Sequence, residues 1–199
     1  MSNFASNPFA ADSSLPLEYP HFDKIRDSDF APAFDAGMEQ QLREVEAIAS
    51  NPAPPTFENT IVALEKSGRT LSRARTVFFN LVGTDTNDTR EKLRSEYSPK
   101  FSAHSDAINF NPALFARIKT LHEARKTLGL DAPSTRLVER YYNDYVRSGA
   151  ALSEDQKARI REINTEMSTL GTQFSQNVLA EVNDSAIVVD SREQLEGLS

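Results

Sequence analysis

DSDFAPAFDAGMEQQLREVEAI, Asp27 to Ile48, is the stretch that decides the fold. Phe30, Phe34, Met38, Leu42, Val45 and Ile48 recur every three or four residues, which puts them on one face of a helix and predicts that this face is buried. Asp27 stands where an N-cap is expected, and Asn51-Pro52 closes the element. The same rhythm runs through the chain on both sides, so the expected fold class is all-α.

Toward the N-terminus the rhythm stops. Pro8, Pro16 and Pro20 exclude a regular helix, so residues 1–27 read as an extended arm tied down by Phe9, Leu15, Leu17, Tyr19 and Phe22. Toward the C-terminus, Asn51-Pro52-Ala53-Pro54-Pro55 is a stiff linker. Thr56 then caps a helix whose apolar face is Phe57, Ile61, Leu64, Leu71, Ala74, Phe78 and Leu81, with Gly68 as a weak point or a place of close packing. Asn87 or Asp88 starts a helix through Leu93, Tyr97, Phe101, His104 and Ile108, and Pro99 inside it predicts a kink or break. Asn111-Pro112 pairs a capping side chain with proline at the first helical position, and Gly129 is the expected stop. Another helix begins around Pro133-Ser134, carries Leu137, Val138, Tyr141, Tyr142 and Tyr145, and ends at Gly149.

Ser153-Glu154-Asp155-Gln156 is a capping box. Ile160, Ile163, Met167, Leu170 and Phe174 follow in alternating steps of three and four, a coiled-coil-like seam that Val178 and Val182 extend. The β-branched run Ile187-Val188-Val189 predicts a short strand, and Ser191 to Gln194 a further helix start. Short connections between helical stretches predict antiparallel neighbours. The expected organisation is an arm over 1–27, a helical bundle over 28–184, and over 185–199 the start of a connection to a region beyond this chain. A strand without an evident partner, next to a helix that barely begins, is what suggests a longer parent.

The 199 residues carry a net charge of −7 and no cysteine. The charge argues against a nucleic-acid binder and against a polybasic membrane patch. Without cysteine there is no disulfide, thiol nucleophile or Cys-based metal site. Apolar runs such as Val77-Phe78-Phe79 are too short to span a bilayer, and Met1 to Ala11 has neither the basic start nor the apolar run of a secretory signal, so a cytoplasmic protein is expected.

Candidate chemistry is sparse. His122-Glu123 opens like H-E-x-x-H, in which histidines one helical turn apart bind zinc, but the second ligand position is Lys126, a cation that opposes the metal. A polar helix face is the better reading. His104 sits among Tyr97, Phe101 and Ile108 and reads as a partly buried structural histidine, while His21 has no obvious partner. Asp27/Asp29 and Glu154/Asp155 fit helix starts rather than acid–base pairs. Tyr141, Tyr142 and Tyr145 suit a ligand wall or core packing, and their spacing favours the core. No catalytic, metal-binding or substrate-binding residue is assigned.

Several segments carry a resemblance. Phe22-Asp23-Lys24-Ile25-Arg26 with Phe30-Ala31-Pro32-Ala33-Phe34 resembles the opening of the thimet-oligopeptidase-like zinc peptidases, and Pro55-Thr56-Phe57-Glu58-Asn59-Thr60-Ile61 with Ala63-Leu64-Glu65 resembles their next segment. Phe78-Phe79-Asn80-Leu81 with Thr86-Asn87, and Glu96-Tyr97-Ser98-Pro99-Lys100 with Ser102-Ala103-His104, are similar to the peptidyl-dipeptidase (dipeptidyl carboxypeptidase) branch. The resemblance implies a longer helical metallopeptidase, cytoplasmic or organellar, that removes C-terminal dipeptides from short peptides. It also implies zinc held by H-E-x-x-H and a downstream glutamate, all in a later region that would be this chain's partner. This chain would then be a non-catalytic part of the substrate-channel wall, without a cofactor of its own and inactive alone. A free-standing helical interaction module of the same descent is the alternative.

Overall fold

The computed structural model describes residues 4–197. Its helices are α1 (Asp27–Ala49), α2 (Ala63–Lys66), α3 (Arg69–Thr84), α4 (Asp88–Asn109), α5 (Pro112–Ala124), α6 (Ala132–Ser148) and α7 (Glu154–Asp184). Short polar side chains start most of them. The Asn87, Asn111, Asp131 and Ser153 side chains each accept a hydrogen bond from a backbone N–H in the first turn, satisfying a donor that the helix itself leaves free. At Ser153 the capping box is complete, with the Gln156 side chain returning to the Ser153 N–H at 3.1 Å. Thr56 caps a π-helical stretch, Phe57–Val62, that runs into α2.

Several local expectations need correction. Asp27 does not cap α1; the chain enters at Arg26, whose N–H donates to Asp29 Oδ2 at 2.8 Å. Gly68 does more than weaken a helix: at φ +70° it separates α2 from α3. Its N–H donates to Glu44 Oε2 at 2.7 Å, and a Cβ there would lie 2.4 Å from the Gln41 side chain, so α1 fixes the break. Pro99 does not break α4, which runs through it. α5 ends at Ala124, several residues before Gly129.

The arm is no simple extended strand of chain. It contains 3-10 turns at Phe4–Ser6 and Pro16–Glu18. Among its described residues only Phe9 is buried; Leu17, expected as a tie, is fully exposed at a positive φ of 58°. Phe4 and Ile25 pack, half-buried, on the cluster that holds Phe9, and polar ties add to them. Arg73 on α3 donates to the Phe9 carbonyl at 3.1 Å and pairs with Asp12, and Arg69 pairs with Glu18 at 3.3 Å.

No strand is present among the described residues, so the strand expected at Ile187 to Val189 is overturned. A strand needs a neighbour to take its N–H and C=O groups, and among the described residues no segment pairs with that run. Ile187 and Val188 lie open to solvent. The helix expected after Ser191 amounts to one 3-10 turn, Arg192–Leu195. Residues 1–3 of the arm and 198–199 of the C-terminal segment fall outside the described residues.

Side-chain pairings give the helix directions. Gly37 to Glu44 of α1 meet Leu71 back to Gly68, while Phe30 and Phe34 meet Phe78, so α1 and α3 are antiparallel. Asp27, Asp35 and Gln41 of α1 meet Arg90, Tyr97 and His104 of α4 in rising order, so that pair is parallel. Glu91, Ser98 and Asp106 of α4 meet Gln176, Thr172 and Asn164 of α7, which is antiparallel. A Cβ on Gly37 would lie 2.8 Å from the Leu71 backbone, so glycine lets α1 and α3 cross closely.

Two apolar clusters form, and α1 serves both. Its first half joins Phe9, Phe30, Phe34, Leu71, Phe78, Tyr97 and Phe101 in an aromatic cluster. Its second half supplies Val45 and Ile48 to a mainly aliphatic one with Ile61, Leu114, Ile118, Leu121, Val138 and Tyr145. α7 contributes a buried residue to neither.

Candidate functional site

The histidines resolve into structural roles. His122 closes α5, stacked on Tyr142 with centroids 3.9 Å apart and rings within 5° of parallel. Burial and the nearby Arg125 lower its pKa. Glu123 points outward toward Lys119, and among the described residues no three His, Cys, Asp or Glu come together as metal ligands. Around His122 and Glu123 the described residues therefore supply no zinc ligand set. His104 is buried, with Nε2 2.7 Å from Gln41 Oε1 and Nδ1 without a hydrogen-bond partner. Desolvation, then the Arg75 charge, lowers its pKa. His21, expected to lack a partner, lies 3.3 Å from Ser14 Oγ and 3.6 Å from Asp23.

The tyrosines divide. Tyr145 is buried against Phe115, whereas the Tyr141 hydroxyl leaves the core and donates to Glu65 Oε1 at 2.7 Å. Asp27 binds Arg90 at 2.7 Å and Glu154 pairs with Lys157 at 3.0 Å, each tying a helix start in place.

What the structure leaves uncovered is α7. Its polar side holds α4: Asn164 donates to Asp106 Oδ1 at 2.8 Å, Thr172 to Ser98 Oγ at 2.8 Å, and Gln176 to Glu91 Oε2 at 3.0 Å. From Met167 on, its apolar seam faces away. Met167 is 66% exposed, Leu170 55%, Phe174 70% and Val182 62%, so this part of the coiled-coil-like pattern marks a face with no partner among the described residues. A contiguous apolar face of this kind on a folded domain marks a contact surface. The spacing showed which residues share the face; it did not show that the bundle turns its back on them.

A direct consequence is that polar substitutions on this face leave the fold intact. Phe174→Gln and Met167→Gln are expected to change unfolding free energy by no more than about 0.5 kcal/mol while reducing self-association. Chemical denaturation and sedimentation velocity read the two quantities. A loss above roughly 2 kcal/mol would mean that the face is packed in solution.

No protein-family model matches the chain. Among curated proteins it is 43% identical over 195 residues to the dipeptidyl carboxypeptidase of Salmonella typhimurium, covering 98% of this chain and 29% of that protein. It is 42% identical over 193 residues to dipeptidyl carboxypeptidase of Escherichia coli, 97% of this chain and 28% of that protein. Oligopeptidase A of Escherichia coli is 27% identical over 182 residues, 89% of this chain and 26% of that protein. The chain thus spans under a third of the length of these relatives. Over nearly all its own length it is similar to dipeptidyl carboxypeptidases of the thimet-oligopeptidase-like peptidases, and it matches their N-terminal part.

Proposed function

We propose that this chain is the non-catalytic N-terminal helical part of a zinc metallopeptidase that removes C-terminal dipeptides from short peptides. It forms a wall of the substrate channel, and the metal and the reacting groups come from a catalytic region beyond it in the same polypeptide. The observation that carries the reading is the match itself: 42–43% identity along 97–98% of the chain to proteins more than three times its length. The open seam of α7 supports it, because a region of a larger protein needs a face for the rest. A wall of this kind contributes exclusion and positioning of substrate rather than bond-making. A cytoplasmic location and short, unfolded peptides as substrates belong to the same reading.

The test is a chimaera in which this chain replaces the matched segment of Escherichia coli dipeptidyl carboxypeptidase. It is expected to release C-terminal dipeptides and to lose activity with a chelator, while the chain alone releases none and keeps no zinc after dialysis. Turnover by the chain alone, or a folded, zinc-loaded chimaera without dipeptide release, would overturn the proposal.

A further inference from the structure

Arg75 is set apart from the other inward-lying arginines. Arg90 pairs with Asp27, and Arg73 with Asp12. Arg117, buried without a carboxylate, donates instead to four oxygens. Among the described residues Arg75 has neither an ion pair nor a hydrogen bond. Its guanidinium carbon lies 4.5 Å from the centroid of Phe101 and 5.8 Å from that of Phe79, so rings support the cation and nothing neutralises it. Burial pushes its pKa down, the mark of a charge held at a cost.

The guanidinium borders a cleft of about 380 Å³ between α3, α4 and α7. Ser98 and Thr172 in its lining are spent, bonded to each other at 2.8 Å and back to their own helices. Ser102 and Ser105 also line it, and neither hydroxyl has a hydrogen-bond partner among the described residues. Arg94, on the same cleft, is already paired with Glu91 at 3.6 Å. The cleft therefore offers one unneutralised positive charge, two free hydroxyl donors, and an apolar rim of Phe79 and Met167.

We infer that this cleft binds a single carboxylate carried on an apolar group, with Arg75 as the charged fork and Ser102 and Ser105 as flanking donors. One net charge suits a carboxylate better than a phosphate dianion, and a planar guanidinium matches two carboxylate oxygens. The carboxylate can come from the end of a peptide or from an aspartate or glutamate side chain. The inference stands whether or not the chain is part of a peptidase.

Nitrogen-15 spectra of the 199-residue chain, including arginine Nε–Hε signals, test it at matched ionic strength. N-acetyl-leucine is expected to give saturable shifts at Arg75 Nε and at the Phe101 and Ser102 amides, and N-acetyl-leucinamide none. N-acetyl-aspartate amide distinguishes the sources: binding as strong as that of N-acetyl-leucine assigns the site to carboxylates of either origin, weaker binding assigns it to chain ends. Arg75→Gln is expected to weaken binding by at least about tenfold, with Arg75→Lys, lacking the fork, in between. Arg75→Met should hold or raise the thermal midpoint, whereas a structural arginine would lower it. Shifts that follow ionic strength alone, or equal affinity in Arg75→Gln, would overturn the inference.

Discussion

Phe34→Ala should lower the unfolding free energy by about 3–5 kcal/mol and the thermal midpoint by roughly 10 °C. The Phe34 ring is fully buried, with Phe78, Tyr97 and Phe101 at 5.2, 5.0 and 5.0 Å between centroids. It therefore joins α1 to α3 and α4 at once. The cavity cannot close easily, because three residues further along α1 the backbones of Gly37 and Leu71 are already in contact. Costs of large-to-small changes are highest where the surroundings cannot relax. Urea denaturation measures the effect, and a loss below about 1.5 kcal/mol would show that the aromatic cluster repacks around the gap.

Arg117→Met is expected to cost about 3 kcal/mol or more, although methionine fills similar space. Arg117 is buried, and its Nη1 donates to the carbonyls of Asn51 and Ala53 at 2.8 and 3.1 Å. Nη2 donates to Asn59 Oδ1 at 2.8 Å, and Nε to Thr60 Oγ1 at 3.3 Å. The linker 51–55 contains three prolines, which have no N–H, so its carbonyls depend on an outside donor. Arg117→Lys, a point charge without the fork, should recover only part of the loss. Hydrogen exchange at residues 56–61 supplies a local readout: faster exchange there than in α6 is expected, and an unchanged rate would sever Arg117 from the linker's order.

These two positions differ in how visible they are to a reader of sequence. Phe34 announces itself, because it repeats with Phe30, Met38 and Leu42 at helical spacing. Helix starts are equally local: Thr56, Asn87, Asn111 and Ser153 act within three residues of themselves, so their capping roles were readable. Arg117 is not readable, since its acceptors lie 57 to 66 positions away. The break at Gly68 belongs to the same class, because Gln41 and Glu44 of another helix decide it. Ile187 to Val189 has strand composition, but composition supplies no partner strand. The α7 seam was legible as a pattern, whereas its exposure depends on polar rungs to α4 that no periodicity reveals. Arg75 was invisible for a related reason: an uncompensated charge is defined by what fails to approach it in three dimensions.

The division of labour between the two clusters and α7 bears on how the chain is made. Every buried residue of both clusters lies between Phe9 and Ala150. Synthesis proceeds from the N-terminus at several residues per second, and domains fold as they emerge. The bundle can thus close around α1 while α7 is still being delivered, and α7 can then zip onto α4 through side-chain hydrogen bonds without reopening either cluster. Of the helices α1 to α7, α7 leaves the ribosome last, so its apolar seam emerges beside a bundle whose two clusters can already be closed.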